Sequence, residues 1–395
     1  MMHQDDISPA ILKKSGRRIV VAGCLSTLIL CVFLGTLLIQ KPKIPDDAIM
    51  FVSNYGNLAG QGIFVMDSDG SNITLLSDVP SNDTLYEKLW SFFPQWLPRK
   101  VTNAVYHQSP IWSPDGSKIA FLMVPENEAD YEIFLMDIAS RRIIRLTYNN
   151  KQVLHSLAWS PDGEHIAYIA SNEPYYDLVQ GWVFLNDMVV ANIVDSTFDV
   201  IVKETSIHYF DWSPDSTKIV YQADNMKYSL YTIDISTRKI TPLTDKSVIG
   251  QPVWEPNGTS IVFACATGFR NIDLCHIEEN GSNFEQLTNT SNALLGAPVW
   301  SPDGTKLAFI ETTVLSNLDE MIFVVNSDGS ELLQLTQPAF LYADLNWSPD
   351  STRILFTMLK DQYDSEEVYV INFDGTEFHQ LTDFPGYASQ PSWRP

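Results

Sequence analysis

The sequence predicts an all-β fold: a seven-bladed β-propeller of four-stranded antiparallel blades, preceded by one transmembrane helix. A tryptophan recurs at separations of 47, 53, 42, 46, 47 and 46 residues, and a period in this range is typical of propeller blades. Short β-rich runs fill each period, and an uncharged apolar stretch precedes the first one. The repeat tryptophans are Trp112, Trp159, Trp212, Trp254, Trp300, Trp347 and Trp393.

Most of these tryptophans open the phrase Trp-Ser-Pro-Asp-Gly, as at residues 112–116. Proline sets φ at the first corner of a turn, aspartate bonds its own backbone, and glycine accepts positive φ. The phrase therefore predicts a tight turn between the first and second strands of each blade. Ser216 and Ser351 replace the glycine in two repeats, which predicts mild strain or another turn type there. We expect the tryptophans to fill the space between packed sheets.

The ends of the propeller region complete each other. The C-terminus offers only the strand that leads to Trp393, whereas residues 48–52, 62–66 and 73–76 read as second, third and fourth strands. One C-terminal and three N-terminal strands predict a seventh blade that clasps the chain ends together. Such closure removes the exposed sheet edge that an open array would leave.

Residues 19–39 contain no charge and are long enough to cross a bilayer as a helix. Basic residues precede this segment at 13–14 and 17–18, which predicts a cytoplasmic tail over residues 1–18 and a propeller outside the cell membrane. A short linker, 40–47, leads to the propeller at 48–395. Two alternatives remain: a cleaved signal peptide, and a lipoprotein that begins at Cys24, which follows Val-Ala-Gly.

The propeller region is strongly acidic. The chain has a formal charge of −23, and residues 1–43 hold six basic and two acidic residues, which leaves −27 for the remainder. This composition argues against nucleic acid or anionic lipid as a ligand, because phosphate binding needs clustered basic residues. Cys265 and Cys275 flank a predicted hairpin loop. They are a candidate disulfide, although spacing alone does not tell whether they face each other.

The repeat unit joins four phrases: Trp-Ser-Pro-Asp-Gly, Lys-Ile-Ala-Phe (118–121), Ile-Phe-Val-Met-Asp (63–67) and Leu-Thr. This combination resembles the TolB-like propeller repeat over about residues 48–395. The same repeat type occurs in the propellers of prolyl oligopeptidases and dipeptidyl peptidases. The chain differs from TolB itself in having seven predicted blades where TolB has six, and no separate α/β domain before them. The resemblance therefore implies the fold, and implies no role in the Tol envelope system.

Sequence motifs for catalysis are missing from the chain. It has no Gly-x-Ser-x-Gly elbow, phosphate-binding glycine loop or zinc spacing of Cys and His. Asp-Gly pairs such as Asp69-Gly70 are typical of hairpin turns and do not continue into a calcium loop. We expect no catalytic residue, metal or cofactor.

Two insertions break the repeat. The link from Ser77 to Trp112 is 34 residues long, and a second insertion covers about 171–186. Long loops in compact domains are often functional, and exposed aromatic clusters often bind partners. In a four-stranded antiparallel blade both insertions leave on the same face. Their aromatic residues are Trp90, Phe92, Phe93 and Trp96 in the first insertion, and Tyr175, Tyr176 and Trp182 in the second.

Histidines occupy matching places at the starts of three predicted innermost strands. His155 and His208 lie four residues before their tryptophan, and His107 lies five before. Asp344, three before Trp347, joins this candidate ligand-binding set if the channel is narrow. Histidine clusters bind metals or move protons, but isolated polar strand starts are also common.

The leading hypothesis is a membrane-anchored, extracytoplasmic module that binds a protein or carbohydrate ligand and catalyses nothing. One alternative is an enzyme, a lyase or hydrolase acting on polysaccharide at the channel mouth. Another alternative is a structural scaffold of an envelope complex. No motif in the sequence separates these three classes.

Overall fold

In the computed structural model, residues 45–395 form one compact unit, and the preceding residues belong to a second unit of the chain. The structure describes residues 43–395 except 56–60, 78–106, 126–127, 129, 149–152, 173–174, 178–180, 184, 224–228, 245, 269–270, 291–292, 297, 314–318, 340, 360–364 and 384–385. The predicted transmembrane segment, 19–39, lies outside this range. Within the described part, no helix is apolar and long enough to cross a bilayer.

Seven antiparallel sheets form the unit of residues 45–395, and each is one blade. Blade 1 contains β1 (Ile49–Ser53), β2 (Gly62–Met66), β3 (Thr74–Leu75) and β31 (Ala388–Trp393); blade 2 contains β4 (His107–Trp112), β5 (Lys118–Met123), β6 (Glu132–Asp137) and β7 (Ile143–Arg145). Blade 3 contains β8 (Val153–Trp159), β9 (His165–Ser171), β12 (Asn186–Asn192) and β13 (Phe198–Thr205), and a separate hairpin, β10 (Tyr175–Asp177) with β11 (Gly181–Val183), lies between β9 and β12. Blade 4 contains β14 (Ile207–Trp212), β15 (Lys218–Ala223), β16 (Ser229–Asp234) and β17 (Ile240–Thr244).

The remaining three blades follow the same order. Blade 5 contains β18 (Val248–Trp254), β19 (Ser260–Gly268), β20 (Asn271–Glu278) and β21 (Glu285–Gln286). Blade 6 contains β22 (Ala293–Leu295), β23 (Val299–Trp300), β24 (Lys306–Thr313), β25 (Glu320–Asn326) and β26 (Leu333–Gln334). Blade 7 contains β27 (Leu341–Trp347), β28 (Arg353–Leu359), β29 (Glu367–Asn372) and β30 (His379–Gln380). The prediction of seven four-stranded blades is confirmed, with the first strand of blade 6 split in two.

The ring closes in blade 1, where the C-terminal β31 pairs with the N-terminal β1. Arg394 fixes this closure: its backbone N–H donates to Ala48 O (2.8 Å) and its guanidinium donates to Gly116 O (3.1 Å) in the first turn of blade 2. The same guanidinium pairs with Asp46 (3.2 Å). The closure therefore joins both ends of the propeller region to the next blade.

The Trp-Ser-Pro-Asp turns are held by their own side chains. In blade 2, Ser113 Oγ donates to Asp115 Oδ1 (2.6 Å) and accepts from the backbone N of Lys118 (2.9 Å). The fourth residue of each turn is left-handed, whether glycine or serine: φ is 63° at Gly116, 61° at Ser216 and 60° at Ser351. The turn type is therefore unchanged at the two serines, and only the strain prediction applies to them.

Those two serines also bond the previous blade. Ser216 Oγ accepts from Asp162 N (3.0 Å) and Ser351 Oγ from Asp303 N (3.1 Å). One inter-blade hydrogen bond contributes about 1 kcal/mol, which is similar to the cost of a left-handed non-glycine residue.

Six of the repeat tryptophans are buried, and Trp300 is partly buried. Trp159, for example, packs with Ala120 and Leu122 of the previous blade. Its Nε1 donates to Ile111 O (3.3 Å), and Trp347 Nε1 donates in the same way to Val299 O (3.1 Å). The predicted wedge between neighbouring sheets is confirmed.

The Leu-Thr phrase has a role that sequence reasoning missed. Thr382 Oγ1 accepts from Val368 N (2.9 Å) and donates to the buried carboxylate of Glu367 (2.5 Å). Thr147 bonds Ile133 N and Glu132 in the same way. This threonine clasp ties the outermost strand to the start of the third strand. The acidic residue at the start of the third strand is the sequence feature from which this hydrogen bond could have been predicted.

Candidate functional site

The two ends of the propeller differ. The turn face carries the Trp-Ser-Pro-Asp turns, and the mouth face carries the starts of the innermost strands. Ser171, at the end of β9, pairs with both Val153 at the start of β8 and Asn186 at the start of β12. The inserted hairpin β10–β11 therefore leaves from the mouth face, next to the start of an innermost strand.

His155 and His208 lie on neighbouring innermost strands at the mouth. His155 is half-buried, with Nε2 2.9 Å from Ser171 Oγ and Nδ1 3.1 Å from Ser156 Oγ. Burial lowers the pKa of His155, and the charge of the nearby His208 lowers it further. His208 is exposed, with Nε2 3.3 Å from Ser206 Oγ. The structure thus brings two of the three predicted histidines together, and His155 also contacts the base of the inserted hairpin.

The other predicted site residues are placed only in part. His107 begins β4, and Tyr175, Tyr176 and Trp182 lie in the inserted hairpin, but only their backbones belong to the described structure. The aromatic residues of the first insertion lie wholly outside the described residues: Trp90, Phe92, Phe93 and Trp96.

Backbone bulges recur on the innermost strands, three residues before the repeat tryptophan. Ser109, Ser156, Asp344 and Gln390 are left-handed there, with φ of 50°, 54°, 56° and 53°. A left-handed conformation is unfavourable for residues with a side chain, and such strain concentrates at functional sites. Sequence periodicity could not reveal these bulges, because no glycine marks them.

Hydrogen bonds link successive bulges from blade to blade. Asp344 Oδ2 accepts from Gln390 N (2.9 Å) and from Thr357 Oγ1 (3.2 Å). Gln390 Oε1 in turn accepts from Ser109 N (2.9 Å). Asp344 therefore lies on the innermost strand of blade 7, and its hydrogen bonds lead to blade 1 and, through Gln390, to blade 2.

Carboxylates on the mouth face are held in unfavourable surroundings. Burial raises the pKa of Glu366, and the charge of Asp344 raises it further. The pKa of Glu311 is raised by burial and then by Asp273. Burial also raises the pKa of Glu320, at the start of β25. Removal from water disfavours the charged form of a carboxyl group, so this face tolerates additional negative charge poorly.

One carboxylate bridges two blades below the mouth. Asp211 is half-buried, and it accepts from Trp212 N (3.0 Å) in its own blade and from Trp254 N (2.8 Å) in blade 5. Desolvation outweighs these two hydrogen bonds and raises its pKa to about 6. Asn346 occupies the same repeat position in blade 7 and accepts from Trp393 N (3.0 Å).

Cys265 and Cys275 form a disulfide between β19 and β20, with a Cα–Cα distance of 5.9 Å. Both are buried in the core between blades 4 and 5. The paired strands extend beyond the disulfide toward the mouth, as far as the pair Gly268 and Asn271.

Among the described residues, one group of three side chains could hold a metal ion: Asp162, Glu164 and His165. It lies on the turn face, beside a cleft of about 290 Å³ between the first turns of blades 2 and 3. Asp162 already accepts from Ser160 Oγ and Glu164 N. These residues are not at the mouth and were not predicted as ligands.

Comparison with known families agrees with this architecture. Residues 98–294 match the model of the TolB beta propeller domain. This part of the chain therefore carries TolB-like β-propeller repeats. No curated protein sequence matches it significantly.

Several solved structures share the fold. TolB from Acinetobacter baumannii is 16% identical with a TM-score of 0.51, over 81% of this chain and 88% of that one. An oligogalacturonate lyase from Vibrio parahaemolyticus is 15% identical with a TM-score of 0.57, over 71% and 79%. A prolyl endopeptidase is 11% identical with a TM-score of 0.63, over 89% of this chain and half of its own. Identities this low show the fold alone.

Proposed function

We propose that this protein is a membrane-anchored, extracytoplasmic β-propeller that binds a protein or carbohydrate ligand on its mouth face and catalyses no reaction. The observation that carries this proposal is the concentration of irregular features on that face. The bulges at Ser109, Ser156, Asp344 and Gln390 and the hairpin β10–β11 all lie there. The turn face, by contrast, follows the repeat.

A binding test should remove the inserted hairpin. Replacing residues 173–184 with a short Gly-Ser linker should abolish capture of partners by the full-length protein in a crosslinking pull-down. The matched control, Phe198→Ser with Val200→Ser, changes exposed residues of the same blade on its outermost strand and should leave capture intact. Unchanged capture by the hairpin variant would reject the mouth face as the binding surface.

The proposed membrane anchor rests on the sequence, and the proposed extracytoplasmic location of the propeller rests on the sequence and on one disulfide. Residues 19–39 have the length and composition of a transmembrane helix. The disulfide between Cys265 and Cys275 supports an oxidising compartment for the propeller. Membrane fractions should retain the full chain and release a variant that lacks residues 1–43. Mass spectrometry that finds a mature chain beginning at Cys24 would replace the helix with a lipid anchor.

The second candidate is an enzyme acting on polysaccharide at the mouth. The adjacent His155 and His208 favour it, and the fold is shared with an oligogalacturonate lyase solved in complex with manganese, 17% identical with a TM-score of 0.56. A glycan-cleavage screen of the protein and of the double variant His155→Ala with His208→Ala separates the two candidates. Cleavage that disappears in the double variant would establish the enzyme.

A further inference from the structure

We propose that the mouth of the propeller is a saccharide site that selects a neutral saccharide over an acidic one. This inference rests on the proposed function, since it names the class of ligand that the mouth face binds. Four properties of the mouth support it: the uneven size of its side chains, hydrogen-bonding groups that lack a partner among the described residues, an exposed aromatic ring, and its negative charge.

Side-chain size around the mouth is uneven. The position four residues before the repeat tryptophan holds large polar side chains in blades 2, 3 and 4: Gln108, His155 and His208. In blades 5, 6, 7 and 1 the same position holds small residues: Gly250, Gly296, Ala343 and Ser389. At this position the innermost strands of blades 5, 6, 7 and 1 therefore present smaller side chains than those of blades 2, 3 and 4, whose side chains can donate and accept hydrogen bonds.

Several hydrogen-bonding groups at the mouth lack a partner within the part of the chain that the structure describes. The side-chain amides of Gln108 and Gln251 have no hydrogen-bond partner among the described residues, and each residue is partly buried. Gln390 uses its Oε1 on Ser109 N, and Asp344 uses its Oδ2 on Gln390 N. Among the described residues, neither Nε2 of Gln390 nor Oδ1 of Asp344 has a hydrogen-bond partner.

These groups match the chemistry of a sugar. An amide offers one acceptor and two donors, and a carboxylate accepts at both oxygens. Neighbouring sugar hydroxyls both donate and accept, so each can pair with such a group at close range. A peptide in extended form would instead need a regular strand edge, and the bulges at Ser156 and Asp344 interrupt the edges here.

An exposed aromatic ring lies on one of the innermost strands at the mouth. Tyr209, three residues before Trp212 on β14, is 44% exposed. It is next to His208 in sequence, and both lie on the innermost strand of blade 4. Tyrosine offers a flat apolar ring with one polar end, which suits the C–H face of a sugar ring with hydroxyls at its edge.

The charge of the mouth sets the selectivity. Four carboxylates lie toward the mouth ends of their strands: Asp344 on β27, Glu366 directly before β29, Glu320 at the start of β25 and Glu311 near the end of β24. The charge of Asp344 also disfavours ionisation of Glu366. A carboxylate on the ligand would add a further negative charge to this side. Like charges brought together at an interface lower affinity and suppress the wrong partner.

Titration calorimetry on the full-length protein, in a detergent that contains no sugar, tests the inference. The neutral probes are chitotetraose and cellotetraose, and the acidic probe is tetragalacturonate. A neutral probe should bind at least about tenfold more tightly than the acidic one, a difference of about 1.4 kcal/mol. Tyr209→Ala should weaken neutral binding by a similar factor. The control Phe378→Ala, 45% exposed near the outermost strand of blade 7, should not.

Asp344→Asn provides the charge test. It keeps an acceptor for Gln390 N and removes one negative charge, so it should narrow the preference against tetragalacturonate. Equal or tighter binding of tetragalacturonate, no neutral binding at millimolar concentration, or equal losses in Tyr209→Ala and Phe378→Ala would each overturn the inference. If no saccharide binds while the hairpin variant still loses its captured partner, the inference fails and the proposed function stands.

Discussion

The turn face and the mouth face both carry carboxyl groups, but folding shifts their pKa values in opposite directions. On the turn face, hydrogen bonds from the turn serine lower the pKa of Asp115 to about 2 and also lower the pKa values of Asp215, Asp303 and Asp350. On the mouth face, burial raises the pKa values of Glu311, Glu320 and Glu366. The turn-face carboxylates therefore stabilise the fold in their charged form, whereas the mouth-face carboxylates cost stability in that form.

This difference indicates a division of labour within one repeat. A carboxylate that is fully bonded by its own turn has little left to offer a ligand. The mouth-face carboxylates are half-buried, and desolvation raises the pKa of Glu320 although its Oε2 accepts from Tyr342 N (2.7 Å). Carboxylates kept at the expense of stability are typical of functional sites.

The largest expected effect tests how tightly the turn face is packed. A Cβ atom at Gly329, where φ is 80°, would overlap the carbonyl oxygen of Leu287 in the previous blade. Gly329→Ala should therefore lower the free energy of unfolding by about 3 kcal/mol or more. Gly375→Ala is the matched control, because φ is 83° there and the nearest atom would be 3.9 Å away; it should cost about 1–2 kcal/mol. If urea denaturation shows that both variants lose the same free energy of unfolding, the left-handed backbone alone explains the cost and the contact with Leu287 contributes nothing.

The pH dependence of stability in two variants, one on each face, tests whether the carboxyl pKa values are shifted in opposite directions. Asp115→Ala should lower stability by about 1–2 kcal/mol at neutral pH, since the hydrogen bonds that the charged carboxylate accepts from Ser113 Oγ, Ser117 N and Ser117 Oγ are lost. Because folding lowers the pKa of Asp115, this loss should shrink as the pH falls toward about 2.

Glu366→Gln should behave in the opposite way. Folding raises the pKa of Glu366, so its charged form costs stability above that raised pKa. The variant should be more stable than the parent at neutral pH, and the gain should vanish as the pH falls below 4.5, the ordinary pKa of a glutamate side chain. Urea denaturation between pH 3 and 8 measures both variants. A loss of stability for Glu366→Gln at neutral pH would contradict the contrast between the faces.

The smallest effect concerns the serines that replace glycine in the turns. Ser216→Gly removes both the left-handed strain and the bond to Asp162 N, so stability should change by a few tenths of a kcal/mol. Ser216→Ala keeps the strain and loses the bond, which should cost about 1 kcal/mol. Thermal unfolding of the two variants compares them directly, and equal stabilities would mean that the inter-blade bond contributes nothing.

Much of the fold could be predicted because the decisive signals are local and repeated. The period of the tryptophans, the turn phrase and the incomplete ends were enough for seven blades and their closure, and β1–β3 with β31 confirm it. The candidate site was harder. His155 and His208 were correctly predicted near the starts of innermost strands, whereas Asp344 was included only for a narrow channel. Sequence reasoning missed other residues of the mouth, because no single residue type marks the mouth position in every blade: Tyr209, Gln108, Gln251 and Gln390.

The sequence by itself determined where each blade begins, how its first turn is built and how the chain ends meet. Those properties depend on residues a few positions apart or on a simple count along the chain. Only the tertiary structure decided which residues that are distant in sequence form hydrogen bonds with each other. The bond from Asp162 to Ser216, the relay from Asp344 through Gln390 to Ser109, and the clasp between Thr382 and Glu367 join distant residues. Their formation depends on strand register and on the packing of neighbouring blades, which no local pattern encodes.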